Sequence, residues 1–150
     1  MPQQERTKPI YTPGTGPPSV PRPDHAVLEA IGQEGVFRLL SAVYQRLEAS
    51  SIRPMFAKDM EAASRRSAAF FVQVLGGAPL FTENFGPPRM RQRHFPFEID
   101  GESRVQWLGC FKAALADSVE HHGFPAEHLA GFETFLDVFS SWMVNVAPEA

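Results

Sequence analysis

His94 has the most chemistry within reach of any residue in this chain. In Arg91-Gln92-Arg93-His94-Phe95-Pro96-Phe97 it is an imidazole among apolar and cationic neighbours, at the end of a short helix that Pro96 cannot continue. That helix is expected to open near Pro87-Pro88 and stop at about Phe95, so Met90 and His94 share one face and Arg89 and Arg93 the neighbouring one. A soft thioether beside a metal-capable imidazole, with two cations alongside, suits a flat metal-bearing ring with anionic edges. The plainer alternative is a helix-terminal histidine that bonds a carbonyl or meets the helix dipole.

Tyr44, Ser67 and Trp107 bear on that choice. Tyr44 and Trp107 each place one polar atom on an otherwise apolar helical stripe, where an unpaired hydroxyl or indole N–H costs roughly 1–3 kcal/mol. Each alone could bond a backbone carbonyl; together with a central Ser67 and an opposing His94 they read as donors lining a cavity. An indole can only donate, so the guest must accept. Dioxygen on the ferrous iron of a porphyrin is such an acceptor, because binding shifts negative charge onto the oxygens and donors in a dry pocket stabilise it. His94 would supply the fifth iron ligand through one ring nitrogen, with its other N–H on a carbonyl of its own helix.

Helices must carry these groups. Phe37, Leu40, Tyr44 and Leu47, widened by Val36 and Val43, predict an amphipathic helix over about 35–49. Met60, Ala63, Ser67, Phe70 and Val74 predict a second, stopped by Gly76-Gly77. Asp100 is a plausible N-cap for a helix over about 101–121, with Trp107 or Leu108, Phe111, Leu115 and Val119 as its stripe and Gly123 as its stop. Pro125 opens the last helix, whose stripe is Leu129, Phe132, Phe135 or Leu136, Phe139, Met143 and Val146. No alternating strand pattern competes, so the expected fold class is all-α, with long helices packed as crossed pairs. Ala63 and Ser67 leave a gap in such a core, at about 1 kcal/mol per missing methylene, unless a guest fills it or two helices cross closely there.

A chain of 150 residues with 43% hydrophobic content can bury one core, and one domain is expected over 25–150. Residues 1–24 hold half of the 14 prolines and are expected to form a disordered or polyproline-like arm, with a docking segment as its alternative use. The net charge of −3 does not suggest nucleic acid as a partner. Cys110, the single cysteine, excludes an internal disulfide and a thiolate cluster and reads as an inert thiol. No apolar run approaches the roughly 20 residues that span a bilayer, and no export signal is visible, so a cytoplasmic protein with no membrane partner is expected. His121-His122 and His128 make a poor zinc chelate, because adjacent helical residues point about 100° apart.

The stretch from about Ile31 to Val146 resembles the truncated haemoglobins, the two-over-two globins, and within them group II. The resemblance is carried by Leu75-Gly76-Gly77, by Gly86-Pro87-Pro88-Arg89-Met90-Arg91-Gln92-Arg93-His94-Phe95-Pro96-Phe97, and by Trp107 in the following helix. It implies a two-over-two helical sandwich around haem b, with His94 as the proximal iron ligand and Trp107 as the tryptophan that marks group II. By the same match Tyr44 is a donor to bound ligand, Phe56 packs on the porphyrin, Ala63 and Ser67 face the distal side, and Arg66 reaches a propionate. Phe70, Leu75, Phe81, Met90 and Phe97 line the remainder, and Arg93 is a further haem contact.

The function expected is binding of dioxygen and other small diatomic gases at the iron, for oxygen binding, oxygen transport or small-ligand redox chemistry. Nitric oxide dioxygenation or peroxidase-like turnover, with a reductase as electron donor, is the enzymatic alternative. Peroxide cleavage gains from a distal acid–base group, commonly His, and the distal positions offer Tyr44, Trp107 and Ser67. A haem-free helical interaction module is the other alternative, using the basic cluster Arg65, Arg66, Arg89, Arg91 and Arg93. A second copy of the chain is a candidate partner for either.

Overall fold

The structure, a computed structural model, describes residues 6–14 and 16–148; residues 1–5 and 15 of the expected arm, and 149–150 of the expected domain, lie outside the described residues. Among them there are six α-helices and no strand: α1 Ala26–Glu48, α2 Met60–Val74, α3 Leu80–Phe85, α4 Met90–Arg93, α5 Gly101–His121 and α6 Leu129–Met143, with 3-10 turns at Arg53–Met55 and Ala126–His128. None of the helices is long and apolar enough to cross a membrane.

α1 packs on α2 and α5, and α5 packs on α6, which gives two layers of paired long helices. The buried face of α1 centres on Val36, Leu39, Leu40, Val43 and Leu47. Phe37 and Tyr44, placed on the same stripe by sequence, flank that face and are half-buried. The first turns of α1 bend at Gly32, whose φ of 70° suits a residue without a side chain. Between the layers sit Phe71, Phe111 and Phe132, with ring centroids 5.2 to 6.0 Å apart. Each is almost wholly buried, so this aromatic contact is the centre of the core.

α2 starts where Asp59 accepts from the Ala62 N–H. It ends before Gly76, which has a φ of 86° and passes so close to His25 that an added Cβ would lie 3.0 Å from the ring. α5 is capped by Asp100, as its sequence predicts. The last helix departs from expectation: its first turn is 3-10, and it ends at Met143. Val146 is buried all the same, beyond the helix, where the chain runs irregularly to meet residue 99.

The described residues of the proline-rich segment form neither helix nor strand. They lie against the domain: the Tyr11 N–H donates to the Asn145 carbonyl, and Pro13 is buried.

Candidate functional site

α4 is four residues long because the chain around it permits no more. Pro87 and Pro88 precede it, Arg89 takes the left-handed conformation (φ 39°) and Pro96 follows. His94 is therefore the C-cap and not an internal residue of the helix. Arg93 holds the approach to α4, donating to the carbonyls of Phe85, Pro87 and Pro88 at 2.6–2.8 Å, while its guanidinium lies 4.9 Å from the Phe81 ring centre. Arg91 points inward. It donates to the Trp142, Val144 and Tyr11 carbonyls and stacks 4.5 Å from the Trp142 ring centre. The expected basic cluster thus loses Arg91, whose donors satisfy the open carbonyls at the end of α6.

At His94 the Nδ1 atom lies 2.5 Å from the Met90 carbonyl. A carbonyl only accepts, so Nδ1 carries the hydrogen and Nε2 keeps its lone pair. Burial pushes the imidazole below its ordinary value, and the Met90 bond opposes that shift without cancelling it. The result is a neutral, oriented ring with one basic nitrogen, the form that ligates a metal.

His94 lines a cavity of about 470 Å³. Of the residues expected there, Tyr44, Phe56, Ala63, Arg66, Ser67, Phe70, Phe81, Met90, Arg93, Phe97 and Trp107 line it too. Leu75, expected there from the resemblance, does not: as the C-cap of α2 it is buried in the core instead. α1 brings Tyr44, α2 brings Ala63 to Phe70, and α5 brings Trp107. The gap that Ala63 and Ser67 leave in α2 is therefore open space. Sequence reasoning missed Ile52, Met55, Ser103, Arg104, Phe139 and Met143 as lining residues. Phe139 and Met143 were visible as a four-residue repeat on the last helix, whereas Ser103 and Arg104 carry no signal within an amphipathic pattern.

The polar atoms of the cavity differ in how they are satisfied. The Tyr44 hydroxyl and Ser67 Oγ lie 2.7 Å apart, and the Tyr44 ring meets Phe56 edge-on at 5.9 Å. Burial raises the Tyr44 phenol above its ordinary value, against the Ser67 bond and the nearby Arg66 charge, so it stays protonated and can donate. The Trp107 indole bonds to none of the described residues, yet no sealed side-chain nitrogen or oxygen among them lacks a partner. Its N–H is therefore not sealed from solvent, and Trp107 is one of the residues that line the cavity. Arg66 and Arg93 are exposed where they border the cavity, and the rest of its wall is mainly aromatic and aliphatic.

A basic nitrogen, a free indole donor, a hydroxyl pair, an apolar wall and two border cations fit a planar, amphiphilic metal macrocycle with anionic substituents. The comparisons with known proteins agree. The bacterial-like globin family matches residues 26–140. The group 2 truncated hemoglobin YjbI of Bacillus subtilis is 35% identical over 122 residues, covering 81% of this chain and 89% of that protein. Among solved structures, phosphate-bound Hell's gate globin IV superposes with a TM-score of 0.81 at 34% identity, covering 88% of this chain and 82% of that one. The truncated oxygen-avid haemoglobin from Bacillus subtilis superposes with a TM-score of 0.71 at 35% identity, covering 79% and 98%. The chain belongs to the bacterial-like globins and is a truncated haemoglobin of group II. Its cofactor is haem b, and the family supports haem-based binding of oxygen and other small ligands.

Proposed function

We propose that His94 holds the haem iron through Nε2 and that Tyr44, Ser67 and Trp107 form the distal wall of a site that binds dioxygen reversibly and releases it slowly. Haem b, held by His94, would supply a ferrous iron able to take up a diatomic gas. The observation that carries the reading is that one cavity is lined by a neutral His94 with its Nδ1 committed and by Trp107, whose N–H has no partner among the described residues.

Each residue then has a task. The Met90 carbonyl fixes the His94 tautomer and raises its basicity. Phe56, Phe70, Phe81, Met90 and Phe97 keep water from the ring faces, and Ala63 leaves room for the ligand. Arg66 and Arg93 meet the propionates. Trp107 donates to the partial negative charge on the ligand. Tyr44 and Ser67 hold two hydrogens for one mutual bond, so one hydrogen remains to point at the ligand. The structural neighbour described as oxygen-avid supports slow release as the resulting behaviour.

Among the described residues His94 is the only histidine on the wall, so none of them offers a second imidazole as an acid–base group there. That favours reversible binding over peroxide cleavage. The test is His94→Gly, loaded with haem and followed by optical spectra of the ferrous and carbonyl forms with and without added imidazole. The expected result is loss of the five-coordinate ferrous spectrum and its return with imidazole; a spectrum like that of the unchanged protein without imidazole refutes the assignment.

A further inference from the structure

Residues 94–99 form an irregular stretch, interrupted by Pro96, and its backbone groups need partners. Local turns satisfy the N–H groups of His94, Phe95 and Phe97, and further partners come from the two distant ends of the described chain. Asn145, fully buried, donates from Nδ2 to the His94 carbonyl at 3.1 Å. Its Oδ1 accepts from the Ile99 N–H at 3.0 Å and from Arg6 at 2.8 Å. The Asn145 backbone N–H donates to the Ile99 carbonyl, and its carbonyl accepts from Tyr11 and Arg6. The same Arg6 guanidinium donates to the Phe95 and Phe97 carbonyls at 3.1 and 3.0 Å. Arg91, one turn before His94, closes the figure by donating to the Tyr11 carbonyl at 2.6 Å.

No carboxylate takes part in any of these bonds. Arg6 and Arg91 are held by oxygens that can only accept, and among the described residues Asn145 is the one side chain that donates to the main chain of His94. A buried asparagine with both ends engaged has a single orientation, and a guanidinium with several carbonyl partners fixes those carbonyls relative to one another. The imidazole is thus oriented twice: its ring by the Met90 carbonyl and its backbone by Asn145.

We propose that Asn145 is a positioning residue for His94 and that the N-terminal segment, through Arg6, acts as a clasp that sets the strength and angle of the proximal bond. The proposal rests on His94 being the iron ligand. It turns the proline-rich segment into part of the haem site.

The test compares Arg6→Ala, Asn145→Ala and Asn145→Asp with the unchanged protein, all loaded with haem. Arg22→Ala, from the same proline-rich stretch and exposed, is the control. Asn145→Asp separates the roles, since it keeps acceptors for Arg6 and Ile99 and removes the side-chain donor to the His94 carbonyl, leaving it the Phe97 N–H at 3.0 Å. The first readout is the iron–histidine stretching band of the ferrous protein by resonance Raman; the second is haem transfer to excess apomyoglobin. Both Asn145 variants are expected to lower and broaden the band and to speed haem transfer by a few-fold to about tenfold, the effect of one neutral hydrogen bond. Arg6→Ala should shift both in the same direction by less, and Arg22→Ala should shift neither. An unmoved band in the Arg6 and Asn145 variants overturns the proposal, even if their melting temperatures fall, because a merely structural clasp predicts that outcome. If an Asn145 variant does not fold, Arg6→Ala decides. Failure of the ligand assignment is distinguished by His94→Gly, which would then retain the band.

Discussion

Replacing Trp107 with phenylalanine isolates one hydrogen. The Trp107 ring stands edge-on to Phe111, with centroids 5.3 Å apart, and a phenyl group can keep that contact. What disappears is the indole N–H, which has no partner among the described residues. Under the proposed function its contribution falls on the ligand. A hydrogen bond to a charged acceptor is worth about 1.5–3 kcal/mol, so dioxygen release should accelerate roughly ten- to a hundred-fold. Carbon monoxide carries much less negative charge in the same place, and its release should change by no more than a few-fold. Tyr44→Phe should have the smaller effect on dioxygen, because that hydroxyl is already engaged with Ser67 at 2.7 Å. Stopped-flow displacement of dioxygen by carbon monoxide, with dithionite to scavenge freed oxygen, measures the rate directly. An unchanged dioxygen off-rate, or an equal change for both gases, refutes a donor role for Trp107.

Two further predictions concern stability. Asp100 Oδ1 accepts from both the N–H and the hydroxyl of Ser103, each at 2.8 Å, and these bonds hold its carboxyl below the ordinary 3.8. A carboxylate depressed in the folded state stabilises fully above that ordinary value, and the stabilisation is lost as pH falls through the folded value. Asp100→Ala should therefore cost about 1 kcal/mol in urea melts at neutral pH, with the gap to the unchanged protein closing as the medium becomes more acid than the ordinary value; a gap independent of pH refutes a charged cap. Arg91→Met strips the donors from three carbonyls and should cost more than about 2 kcal/mol, against about 0.5 or less for Arg65→Met, whose pairing with Glu61 is exposed. Equal losses in the two variants would show that Arg91 is not holding the chain together.

The residues legible in the sequence were those whose neighbours in space are also neighbours at helical spacing. His94 and its Met90 carbonyl are four residues apart, and the Asp100 cap and the α2 and α5 stripes obey the same local rules. Phe139 and Met143 are four apart as well, and only their cavity went unseen. The clasp could not be read. Arg6 and Asn145 are separated by 139 positions, and an arginine in a proline-rich stretch looks like any solvated charge. Arg91 misled for a related reason: among Arg89, Arg91 and Arg93 nothing local says which one turns toward α6, and only the open carbonyls there decide it. Helix α3 escaped because six residues are too few for a period to show.

The order of synthesis gives Asn145 another consequence. A ribosome makes Arg6 early, then every helix, and only afterwards the asparagine that joins the first segment to the histidine loop. Pairings across such a separation close slowly, since the intervening chain must already be compact. A nascent globin of this build therefore has its aromatic core within reach before Asn145 can close on the His94 loop, and on the role proposed for that asparagine, firm pigment retention follows the core rather than accompanying it.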